Sequence, residues 1–211
     1  MERKLATVLF ADLVGSTELG HSEDPERTRA LLDRFYEAMA EEVERASGTI
    51  EKFAGDAVMA AFGAPAALED HAERALHAAL AMRHRVGELD RRLELRIGVN
   101  TGEVVVGEPR AGSSFVTGDA VNVAARLEQG AEPGEILAGE RTAAAARGAF
   151  EFEEETSVAA KGKPEPLRCR RLVRALSLMR PRGVSGLRRA FVGRHEELGR
   201  LLDAYRVAAE E

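Results

Sequence analysis

Lys52 and Asp56 stand four residues apart around Gly55, between two apolar runs, and Asp12 closes the apolar run at residues 5–11. Two carboxylates at the tips of separate strands are what a pair of Mg²⁺ or Mn²⁺ ions requires, held roughly 3.5–4 Å apart over a phosphate. A lysine on the strand beside them suits a nucleotide. Either aspartate alone serves equally well as a turn former or a turn cap. Together, each bordering an apolar strand, they favour metal binding and point to a metal-dependent nucleotide enzyme.

Three further groups carry chemistry. Gly15, Ser16 and Thr17 follow Asp12 and can offer backbone N–H groups to phosphates, a weak signal because such triplets are common in loops. No GxxxxGK[ST] loop occurs. Asn122 and Arg126 are four apart in the segment 118–128 and share one helical face. An amide and a guanidinium so placed can orient a ribose and neutralise charge on a transferred phosphoryl group. Lys161 and Lys163 flank Gly162 before Pro164; phosphate contact and an ordinary basic turn are equally compatible with that spacing. His71 and His77 are six apart, do not face one another, and read as surface residues. Met39, Met59 and Met82 read as core filler.

These residues need elements to position them. Residues 5–11 read as a buried strand that Asp12 terminates. Asp24-Pro25-Glu26 starts a helix, Leu31, Phe35, Met39 and Val43 give it an apolar face, and Gly48 stops it. Residues 49–53 and 58–62 form a hairpin around Ala54-Gly55-Asp56. A second helix runs over about 68–89. Strands at 93–100 and 103–107 are split by Thr101-Gly102, a short strand at 115–117 precedes a helix at 120–129, and strands at 136–138, 150–158 and 167–173 complete the chain. A hairpin between helices argues against a doubly wound fold. The expectation is α+β: a ferredoxin-like, split-βαβ antiparallel sheet with helices packed on one face. From Arg174 a basic linker is expected over 174–190, followed by the start of a further domain at 191–211.

Composition narrows the partners. The 211-residue chain carries net charge −6, which argues against general attraction to nucleic acid or to anionic membrane. It has no run of 18 apolar residues, and its charged start is unlike a secretory leader. The lone Cys169 gives no disulfide framework and suits a reducing cytoplasm.

At this point four stretches resemble the class III nucleotidyl cyclases: residues 10–17 (FADLVGST), 52–56 (KFAGD), 96–104 (RIGVNTGEV) and 118–128 (GDAVNVAARLE). They stand in the family's order and cover about residues 3–173. The resemblance implies conversion of ATP to 3′,5′-cyclic AMP and pyrophosphate, with Asp12 and Asp56 binding two Mg²⁺ or Mn²⁺ ions. It further implies that Lys52 reads adenine, Asn122 positions the ribose, Arg126 stabilises the transition state, and Lys161 or Lys163 touches phosphate. Such enzymes are head-to-tail homodimers in which one chain gives the aspartates and the other gives the lysine, asparagine and arginine. Phe115 departs from the pattern, because the family usually has an aspartate or threonine there. Two alternatives follow: Thr117, on the same strand face, substitutes, or the base is held by Lys52 and apolar contact. The alternatives are a nucleotide-binding regulatory module with little turnover, and a guanylyl cyclase, against which Lys52 argues. Phe191-Val192-Gly193-Arg194 and the residues after it resemble the start of an AAA/STAND-type ATPase module.

Overall fold

The computed structural model describes residues 2–15, 25–107, 116–159 and 165–176. The chain divides into two units, Met1–Met179 and Arg180–Glu211. The second unit, and with it the ATPase-like stretch at 191–211, lies outside the described residues.

The elements are β1 (Glu2–Val14), α1 (Pro25–Arg45), β2 (Thr49–Ala54), β3 (Ala57–Phe62), α2 (His71–Leu89), β4 (Glu94–Val106), β5 (Val116–Thr117), α3 (Asp119–Gly130), β6 (Ile136–Gly139), α4 (Glu140–Ala145), β7 (Phe150–Val158) and β8 (Leu167–Ala175). They build one eight-stranded sheet in the order β2-β3-β1-β4-β6-β8-β7, with β5 paired to β4 off that path. The α+β class and the β2–β3 hairpin are as expected. Two details of the expectation change. The pair β4–β6 is parallel, so the sheet is mixed. The helices also cover both faces. Leu9, Ala11 and Leu13 cluster with Phe35, Met39, Leu76 and Met82 of α1 and α2, whereas Ala6 and Val8 cluster with Ala120 and Ala124 of α3. Alternate residues of one strand point to opposite faces, so α3 lies across the sheet from α1 and α2.

Gly98 and Gly102 explain both the second face and a misplaced break. Strands at 93–100 and 103–107 form one strand, β4, with Thr101 opposite Thr7 and Gly102 opposite Ala6. Gly102 is not a turn residue: a Cβ there would meet the Ala120 side chain at 2.9 Å, and one at Gly98 would collide with the backbone of Ala124 and Glu128. The bare backbone lets α3 press onto the strand. Asp12 likewise does not end β1, which continues to Val14 in a ladder with β4. The six-residue α4 falls in an alanine-rich stretch that carries too little periodicity to read as a helix.

The histidines are corrected as well. His71 is only 9% exposed, and its Nδ1 shares a 2.7 Å hydrogen bond with the Thr7 hydroxyl. Thr7 is also 2.8 Å from Thr101 Oγ1, and Thr101 is 2.9 Å from Thr142 Oγ1, so a buried polar chain joins α2, β1, β4 and α4. Burial holds the His71 pKa below the ordinary imidazole range, against the opposing pull of Asp70. His77 is half-buried with its ring centroid 4.6 Å from that of Phe150. Met39, Met59 and Met82 are core residues, as expected. Arg174, expected to open the linker, lies in β8 and pairs with Glu151 at 2.7 Å.

Candidate active site

The site grows from the three central strands. The β1–β3 register sets Asp12 opposite Ala57, next to Asp56, and Leu13 N–H donates to the Asp56 carbonyl at 3.3 Å. Asp56 sits in a two-residue turn made possible by Gly55, whose φ of +64° suits glycine. From α1, the Tyr36 hydroxyl donates to the Gly55 carbonyl while its ring packs on Phe53, centroids 4.8 Å apart. The turn is therefore gripped from the strand side and from the helix side. The two aspartates come together at one end of the sheet, as their sequence positions suggested.

Two residues in that place were given no role in the sequence reading. Arg96, the register partner of Asp12 on β4, donates from Nη2 to the Asp12 carboxylate. The same Nη2 is 3.6 Å from Glu128 Oε1 on α3. Glu128 is 7% exposed, and both its Oε1 and Arg96 Nε are buried without a hydrogen bond. Burial, then the negative charge of Asp12, pushes the Glu128 carboxyl up to about 7; Arg96 pulls it back and Asp56 adds to the rise. Arg96 is held above the ordinary guanidinium value chiefly by its bond to Asp12. Three carboxylates thus bear on a single guanidinium, and the cluster is short of positive charge. That fits a site for added cations. Among the described residues no set of three or more acidic, His or Cys side chains converges as a complete cage. Phosphate oxygens and water commonly complete Mg²⁺ coordination around one or two carboxylates. The sequence signal for Arg96 and Glu128 lay in their motifs; only strand register brings them to Asp12.

The remaining predicted residues fall elsewhere. On α3 the buried residues are Ala120, Ala124, Leu127 and Glu128. At about 100° per residue, Asn122 and Arg126 both lie some 160° from Ala124, so they project away from the sheet that carries Asp12. Asn122 is exposed and Arg126 partly so. Lys52 is exposed on β2 opposite Met59, which in turn opposes Phe10. Cross-strand partners share a face, so Lys52 stands on the α3 side of the sheet. Thr117 is exposed on β5 opposite Val105. Its strand is tied toward β2 by Glu51, whose Oε1 accepts the Val116 N–H at 2.7 Å. Gly15, with φ +83°, follows β1. Ser16, Thr17, Phe115, Lys161 and Lys163 lie outside the described residues.

Comparison with known proteins identifies the family and the fold. The family model for the adenylate and guanylate cyclase catalytic domain matches residues 2–172. The structure of the adenylyl cyclase CyaB from P. aeruginosa superposes with TM-score 0.76 at 32% identity, over 82% of this chain and 95% of that one. The guanylyl cyclase Cya2 gives TM-score 0.75 at 30% identity, over 81% and 92%. The Mycobacterium tuberculosis protein Rv1319c is 40% identical over 150 residues, which are 69% of this chain and 28% of its own. A second protein of that organism, Rv1318c, is 36% identical over 193 residues, 86% of this chain and 34% of its own. The chain thus spans about a third or less of the length of the curated relatives it matches. It belongs to the family of adenylate and guanylate cyclase catalytic domains. No helix among the described residues is long and apolar enough to cross a membrane.

Proposed function

We propose that the chain is a cytoplasmic adenylyl cyclase domain that converts ATP to 3′,5′-cyclic AMP and pyrophosphate as a head-to-tail homodimer. One observation carries the reading: Asp12 and Asp56 meet around Arg96 within one chain, while Asn122 and Arg126 face away from them. A second copy can then bring its α3 face to the first copy's carboxylates.

Asp12 and Asp56 are the residues that would hold two Mg²⁺ or Mn²⁺ ions, and the charge deficit around Arg96 supports that fit. Metal bound there would supply Lewis-acid activation of the ribose 3′-hydroxyl and neutralise phosphate charge. Asn122 of the second copy orients the ribose. Arg126 neutralises charge that gathers on the α-phosphoryl oxygens as the 3′-oxygen bonds to phosphorus and pyrophosphate leaves. Lys52 donates to a ring acceptor of adenine. A guanine substrate is the second reading, since the guanylyl cyclase Cya2 superposes almost as well as CyaB.

The test mixes two inactive chains. Asp56→Ala and Arg126→Ala should each leave about 1% or less of wild-type cyclic AMP formation. Their 1:1 mixture should regain about a quarter of wild-type activity, because half the dimers are mixed and each has one intact site. No recovery, with mixed dimers shown to form, refutes the shared site. Faster turnover of GTP than of ATP refutes the substrate.

A further inference from the structure

We propose that Glu51 is a specificity-positioning residue, a strut that fixes the distance between the base-reading Lys52 and the strand carrying Thr117. The proposal rests on the reading of Lys52 given above.

Four observations carry it. First, β2 slips register between Ile50, opposite Ala60, and Lys52, opposite Met59, which makes Glu51 the extra residue of a bulge. A bulge re-aims a side chain that a regular strand would commit to its pleat. Second, the re-aimed carboxylate takes the Val116 N–H at 2.7 Å, across 65 residues of chain. A hydrogen bond to an ionised acceptor is about twice as strong as a neutral one. Third, β5 is two residues long, and among the described residues its ladder pairs are at Val105 and Val106. Val116 is 1% exposed in the cluster that also holds Met59 and Ala61 of β3. The apolar seat fixes where β5 lies, and the carboxylate fixes its leading amide. Fourth, each end of the strut is followed directly by a candidate base contact, Lys52 after Glu51 and Thr117 after Val116.

This connectivity has a consequence for discrimination. Adenine and guanine differ in the hydrogen-bonding groups on their edges, so selection depends on donors and acceptors held to within about 0.5 Å. Lys52 is a flexible, exposed side chain and cannot set that distance by itself. The bond from Glu51 couples its backbone to β5, and the two candidate base contacts then move as one piece.

The experiment uses the full chain with Glu51→Ala, Glu51→Gln and Lys52→Ala, measuring kcat and KM for ATP and for GTP in Mn²⁺. Glu51→Ala should raise KM for ATP about tenfold with kcat within about threefold, and lower the ATP-to-GTP ratio of kcat/KM about fivefold. Glu51→Gln, which keeps an acceptor oxygen, should stay within about twofold of wild type. The Val116 amide should exchange with solvent about tenfold faster in Glu51→Ala than in either. An unchanged ratio in Glu51→Ala, or loss of stability with kcat and KM falling together, overturns the proposal. Should Glu51→Ala melt below the assay temperature, Glu51→Asp carries the test: its shorter reach should lower the ratio, and a wild-type ratio overturns the idea. Where turnover is too slow, the same ratios are read from binding of fluorescent ATP and GTP analogues. Lys52→Ala separates the two assignments. If it alters base preference while Glu51→Ala does not, only the strut falls. If it leaves preference untouched, both fall.

Discussion

The two faces of α3 differ in kind. Its inner face, Ala120, Ala124, Leu127 and Glu128, is pressed on a strand stripped to glycine at 98 and 102, and ends on the Arg96 cluster. Its outer face carries Asn122, which is exposed, and Arg126, which is partly so. In the proposed shared site, the carboxylate half is assembled within one chain by register. The asparagine–arginine half stands on the opposite face of α3, which is why that proposal calls for a second copy.

That contrast can be broken in steps. Asp12→Ala or Asp56→Ala should lower cyclase activity by roughly a thousandfold or more, with Asp12→Ala also losing some stability because Arg96 loses its hydrogen-bonded partner. Arg126→Ala should lower kcat about a hundredfold with KM little changed, the pattern of a group that acts in the transition state. Gly98→Ala should push α3 off the sheet and cost about 2–4 kcal/mol by denaturant titration, with activity falling further than stability.

Smaller effects sharpen the electrostatic side. The Glu128 carboxyl titrates near 7 in the folded chain against 4.5 ordinarily. Below about pH 4.5 folded and unfolded chains both hold that proton. As pH rises toward 7 the unfolded chain releases it first and stability falls. Glu128→Gln should flatten this dependence and stabilise the metal-free protein at pH 8 by on the order of 2 kcal/mol, read from melts across pH 5 to 8. His71 acts in the opposite sense: its lowered pKa costs stability as pH falls below the ordinary 6.5, where the unfolded imidazole charges first. Glu128→Gln melts should therefore retain an acid-side loss. Least of all, Tyr36→Phe should remove the bond to the Gly55 carbonyl, cost about 1 kcal/mol, and weaken half-saturation by Mn²⁺ a few-fold.

What the sequence made legible was local. The Ala54-Gly55-Asp56 hairpin, the helix that Gly48 closes through its N–H to Val43 O at 2.8 Å, and the Gly118 start of α3 are all written in neighbouring residues. So were Asp12 and Asp56, because carboxylates beside apolar runs stand out. What escaped depends on distant partners. Thr101-Gly102 reads as a turn until Ala120 is known to lie above it. His71 reads as a surface residue until Thr7 is found beside it. Arg96 and Glu128 become one cluster only through the β1–β4 register and the packing of α3.

The long β1–β4 ladder also bears on how the molecule is made. β1 lies inside the sheet yet precedes both of its partners in the chain, and its rungs with β4 run from Val14 opposite Glu94 to Glu2 opposite Val106. As the chain leaves the ribosome, β1 meets β3 first and can form only one of its two seams. The second stays open until β4 follows, and Asp12 cannot meet Arg96 before that residue has been synthesised. Pairing of this sequence span is intrinsically slow and leaves an apolar strand edge exposed while it waits. The interval between the synthesis of β3 and that of β4 is accordingly when the nascent domain is most prone to associate wrongly.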